Sequence, residues 1–107
     1  MTDCIVDRAK ITDYLLDLDH PDGASKAKFF IAGGFSPANP EQLIAALKAR
    51  FADNTPTAES VDRFGGCRIS IDAPLRVPDG RKPVVRSVWK IDRGQATPRL
   101  ITAYPID

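Results

Sequence analysis

The sequence is poor in the residues that most often carry chemistry. It has one histidine, His20, and two cysteines, Cys4 and Cys67. The cysteines lie far apart, and neither has a second Cys or His at ligand spacing. No metal site is expected, and both thiols are expected unpaired, with Cys67 in the core. No apolar run is long enough to span a bilayer, and the first ten residues lack the apolar segment of a signal peptide. A cytoplasmic chain without membrane contact follows as the expectation. Gly-rich phosphate loops, nucleophile elbows and metal motifs are missing, and Asp17 and Asp19 alone supply too few ligands for calcium. No cofactor is expected. The net charge is +1, which argues against a protein that holds nucleic acid by total charge alone. Repeats, low-complexity tracts and linkers are absent, and 107 residues suffice for one domain, 1–107, around one core.

The near-neutral total hides an asymmetry. Asp3, Asp7, Asp13, Asp17, Asp19 and Asp22 crowd the N-terminal half, whereas Arg63, Arg68, Arg76, Arg81, Arg86, Arg93 and Arg99 mark the C-terminal half, with Lys82 and Lys90. A basic half of this kind can bind phosphates, or it can be a well-solvated sheet surface.

Residues 1–9 show no periodicity; they are either loose or laid along a neighbouring strand. From Lys10, the spacing of Ile11, Tyr14, Leu15 and Leu18 predicts a helix that must end before Pro21. His20-Pro21-Asp22-Gly23 reads as a β-turn. A second helix over 24–32 buries Ala27, Phe30 and Ile31 and stops at Gly33-Gly34, with Phe35 packing back over the stop. A third helix starts at Asn39 and Pro40, buries Leu43, Ile44, Leu47 and Phe51, and ends at Asn54-Thr55-Pro56.

Beyond Pro56 the period changes to two. Strands are predicted over 57–63, 67–75, 84–91 and 99–104, joined by turns at Phe64-Gly65-Gly66, Pro78-Asp79-Gly80-Arg81 and Asp92-Arg93-Gly94-Gln95. The fold class is therefore α+β: about three N-terminal helices, then a four-stranded antiparallel meander with the helices on one sheet face. The alternation places Ile69, Ile71, Val85, Trp89, Ile101 and Ala103 on the buried face. It leaves Arg68, Arg86, Lys90, Thr102 and Tyr104 on the open one.

Metal-independent RNA cleavage needs a base for the 2′-hydroxyl proton, an acid for the 5′-oxygen, and cations or donors for the phosphorane. His20 suits the acid or base; alternatively it is the first residue of a turn with its ring bonded to backbone. Lys26 or Arg86 can hold the phosphate. Equally, Lys26 can lie along Phe29 and Phe30, and Arg86 can pair with Asp72 across the sheet. Thr102 and Tyr104 can donate hydrogen bonds, and Tyr104 or Phe29 can stack on a base; the alternatives are an ordinary strand threonine and a strand-end tyrosine packed on the core.

Three blocks carry a family resemblance: Ala9-Lys10-Ile11-Thr12-Asp13-Tyr14-Leu15-Leu16, then His20-Pro21-x-Gly23-x-Ser25-Lys26-Ala27-x-Phe29-Phe30, then Pro98-Arg99-Leu100-Ile101-Thr102-Ala103-Tyr104-Pro105. They resemble a family of small bacterial domains of unknown function, found alone and as C-terminal modules of secreted or toxin-like proteins. The arrangement is similar in turn to the barnase, EndoU, colicin and RelE ribonuclease toxins. That resemblance implies RNA cleavage by His20, Lys26, Arg86, Thr102 and Tyr104, with RNA and a cognate antitoxin or immunity protein as partners. A chain that starts at Met1 without a delivery module departs from the secreted pattern; it fits a standalone toxin beside an antitoxin, or a domain that has lost activity. The alternative from another class is a non-catalytic module that holds a protein partner on the open sheet face or an edge strand.

Overall fold

The computed structural model describes residues 4–53, 58–61, 63 and 65–106. Three helical segments precede a four-stranded antiparallel sheet whose spatial order is the sequence order. The expected third-helix stop at Asn54-Thr55-Pro56, the strand start at Thr57 and the turn residue Phe64 lie outside the described residues.

Helix α1 spans Arg8–Lys10 and runs on into a π-helical turn over Ile11–Leu15, closed by the Leu16 N–H donating to the Ile11 carbonyl at 2.8 Å. The wide turn ends the regular periodicity early. Leu16 is buried in place of the expected Leu18, which is 51% exposed. Residues before α1 do lie along a strand: the Ile5 N–H donates to the Pro98 carbonyl, and the Leu100 N–H donates to the Ile5 carbonyl. Cys4 joins the core there, whereas Cys67, expected in the core, is only partly buried.

Helix α2 spans Ala24–Ala32 and buries Ala27 and Phe30, with Ile31 half-buried. Its end is a Schellman motif. Gly34 takes φ +110°, its N–H donates to the Ile31 carbonyl, and the Phe35 N–H donates to the Phe30 carbonyl. Phe30 and Phe35 then meet edge to face, with centroids 6.1 Å apart. Helix α3 spans Pro40–Asp53 and packs Leu43, Leu47 and Phe51 inward.

The strands are β1 (Ala58–Val61), β2 (Cys67–Pro74), β3 (Val84–Ile91) and β4 (Arg99–Pro105). Arg63, expected at the end of the first strand, lies in the turn after it. Trp89 is the centre of the core: fully buried, tilted against Phe51 at 4.8 Å, with its indole N–H donating to Ser87 Oγ at 2.9 Å. Ser87 is the one buried polar residue among those described, and it is tolerable there because its hydroxyl accepts from Trp89 and donates to the Ile71 carbonyl at 3.5 Å.

One register detail differs from simple alternation. Val88 pairs with Thr102, but Trp89 pairs with Leu100, so Ile101 is an extra residue in β4, a β-bulge. Leu100 therefore faces the core, fully buried, and Ile101, expected in the core, is only half-buried. Ile69, Ile71, Val85, Trp89 and Ala103 are buried as expected.

Candidate functional site

Two open hollows adjoin along the outer side of β4, where α1 and the turn after it meet the sheet. The first, of about 570 Å³, is lined by Asp7, Lys10, Tyr14, His20 and Thr102 among others. The second, of about 460 Å³, is lined by Tyr14, Ser25, Lys26, Thr102, Tyr104 and Pro105. Tyr14 and Thr102 belong to both, and their hydroxyl oxygens are 3.1 Å apart.

The turn before α2 positions the histidine. His20 Nδ1 accepts from the backbone N–H groups of Asp22 and Gly23, each at 3.0 Å. The ring proton is therefore on Nε2, and Nε2 is the ring nitrogen left to meet a ligand. The imidazole stands edge-on to Tyr14, with centroids 4.9 Å apart. Gly23 is required by proximity: a Cβ there would sit 2.4 Å from the Tyr14 carbonyl oxygen and 2.8 Å from its ring. Its φ of −100° is open to any residue.

Lys26 donates to the Asp22 carbonyl at 3.2 Å, and its ammonium lies 5.5 Å from the Tyr14 ring centroid. Lys10, one helical turn before Tyr14, lies at the same 5.5 Å. The tyrosine is thus flanked by two ammonium groups held partly by its π-system.

Of the residues the sequence singled out, His20 and Thr102 share one hollow, and Lys26, Thr102 and Tyr104 share the other. Arg86 lines neither hollow. It forks onto Asp72, donating from Nε at 2.7 Å and Nη2 at 2.9 Å, and its β3 position pairs with that of Tyr104 on β4. The hydrogen bond from Arg86 holds the Asp72 carboxyl below its ordinary pKa. The carboxylate, and after it the Tyr104 hydroxyl, raise the Arg86 pKa above its ordinary value. The sequence reading missed Tyr14 and Lys10. The helical spacing places Tyr14 on a buried stripe, and a tyrosine at the edge of such a stripe carries a hydroxyl that needs a partner.

Lys10, Lys26, His20, Tyr14, Thr102 and Tyr104 line the hollows, with Asp7 the one carboxylate side chain lining them among the described residues. Such a set suits an anion. Among the described residues no group of three or more His, Cys, Asp or Glu side chains could hold a metal ion, and no helix is long and apolar enough to cross a membrane.

The profile of DUF6883, a domain of unknown function, matches residues 1–107, and the chain belongs to that family. Among solved structures, a chain of a contact-dependent growth inhibition toxin–immunity protein complex from Klebsiella pneumoniae 342 has the same fold. It superposes with a TM-score of 0.75 at 20% sequence identity, covering 95% of this chain and 99% of that one. No curated protein matches.

Proposed function

We propose that the domain is a small ribonuclease-like toxin domain that cleaves RNA without a metal, with the scissile phosphodiester bound along Tyr14 and Thr102. The observation that carries this reading is the convergence of His20, Lys26, Thr102 and Tyr104, with Lys10, around one tyrosine. Fixed donors of this kind stabilise charge that develops on a phosphorane. The two ammonium groups neutralise the non-bridging oxygens. The His20 Nε2–H and the Thr102 and Tyr104 hydroxyls donate to them. Because its Nδ1 accepts two backbone hydrogens, His20 acts here as a hydrogen-bond donor; the 2′-hydroxyl gives its proton to solvent and its oxygen attacks phosphorus, the P–O5′ bond breaks, and the leaving 5′-oxygen takes a proton from solvent. Arg86 holds Tyr104 in place. The fold shared with a chain of a toxin–immunity complex supports the toxin setting, and with it a cognate protein partner.

His20→Asn is the test. Asn offers an acceptor to the same turn hydrogens while removing the imidazole. The expected result is an unchanged melting temperature with cleavage of a single-stranded RNA abolished. Unchanged cleavage removes His20 from the site.

A second reading, a non-catalytic module that captures a protein strand, is favoured by β1. All four of its residues are exposed, with Val61 at 73%, and it is the edge of the sheet. It predicts no RNA cleavage by the parent at any concentration and loss of partner capture on Val61→Lys.

A further inference from the structure

The bulge has a consequence on the open sheet face. Residues directly opposite on neighbouring strands share a face. Arg68 pairs with Lys90 in β2–β3, and Lys90 with Arg99 in β3–β4. Three cations therefore stand in one row across three strands, in neighbouring positions about 5 Å apart. If Ile101 were paired regularly with Trp89, Leu100 would oppose Lys90, and Arg99 would turn to the other face. The bulge thus does two things at once: it buries Leu100 and brings Arg99 into line.

Like charges placed directly opposite destabilise a sheet. Acidic side chains stand beside the row. Half-buried Lys90 lies 3.5 Å from exposed Asp92, and exposed Arg99 lies 3.7 Å from exposed Asp7, both long contacts. Ion pairs this long and this accessible to solvent contribute little, so a phosphate can compete for the same cations. Asp7 also lines the hollow that holds His20, so the row ends beside the candidate site.

We propose that Arg68, Lys90 and Arg99 form a phosphate-tracking site that holds the backbone of single-stranded RNA outside the groove and leads it toward Tyr14 and His20. Phosphates repeat along an extended strand at a spacing that a row of cations can follow, and such contacts carry no base preference. The inference rests on the ribonuclease reading for its substrate, but it is tested separately from it.

The probe is a fluorescently labelled oligouridylate of about twelve nucleotides, bound to His20→Asn protein so that it stays intact. Anisotropy is followed between about 50 and 200 mM salt. Replacing all three residues by Gln is expected to weaken binding at least about tenfold and to flatten the slope of log affinity against log salt by about two. Cleavage of a dinucleotide, which occupies only the groove, is expected to be unchanged in the His20 background. Arg68→Gln alone, at an exposed position, gives a smaller loss in the same direction and guards against misfolding of the triple variant. Unchanged affinity and slope overturn the row while leaving any cleavage activity standing. Row-dependent RNA binding by a parent that cleaves nothing overturns the ribonuclease reading and leaves the row standing. Displacement of the RNA by polyglutamate at equal charge concentration overturns the RNA assignment in favour of an acidic protein partner.

Discussion

The Tyr14 hydroxyl and Thr102 Oγ1 lie 3.1 Å apart, joining two segments 88 residues distant in sequence. This bond ties the π-helical end of α1 to β4 at the point where the two hollows meet. Tyr14→Phe and Thr102→Val are each expected to cost about 1 kcal/mol in denaturant unfolding. Their double variant should cost less than the sum, because the shared bond is lost once. Strict additivity would show that the two hydroxyls do not interact.

Gly23→Ala tests the packing of the turn on Tyr14. The new Cβ meets backbone, which cannot yield as a side-chain tip would. A loss of about 1–3 kcal/mol is expected. The tyrosine must shift, so RNA binding should fall with it. Full stability in Gly23→Ala contradicts the close approach.

Much of this fold was readable in the sequence, for local reasons. Pro40 with the Leu43, Leu47 and Phe51 stripe defines α3, and Gly33-Gly34 marks a stop that becomes a Schellman motif. Strand alternation puts Arg86, Thr102 and Tyr104 on the face opposite Trp89 and Ala103, as in the structure, because β3 and β4 are in plain register there; that face is half-buried rather than open at these positions, and Val88 on it is buried. What escaped was any change of period inside an element. The π turn exchanges Leu18 for Leu16, and the bulge exchanges Ile101 for Leu100. Both are apolar-for-apolar swaps, so the hydropathy pattern reads equally well either way. The grouping of Tyr14 with Lys10 and Lys26 depends on how α1 meets β4, which no local pattern encodes.

Ser87 exists in the core to receive the Trp89 indole hydrogen. Ser87→Ala strands that donor and should cost about 1–3 kcal/mol. In a Trp89→Phe background the same change should cost much less, since no donor remains. Equal costs in both backgrounds would mean that the bond contributes nothing.

Asp72 sets an acid limit on stability. Its folded pKa is depressed by Arg86, so the stability it contributes is present above its ordinary value of 3.8 and is lost as pH falls through the lower folded value. The gap in melting temperature between parent and Asp72→Asn should therefore be full near neutrality and close progressively below about pH 4. A gap independent of pH would show that the carboxylate charge is not what matters.

The central claim is that the donors around Tyr14 act on an RNA phosphodiester, and cleavage of a single-stranded RNA as a function of pH tests it most directly. The parent should cleave, at a rate that rises steadily with pH, and His20→Asn and Lys26→Ala should both abolish cleavage while remaining folded. A parent that never cleaves contradicts the account outright. A bell-shaped profile that disappears in His20→Asn would contradict the donor role and make His20 a proton carrier.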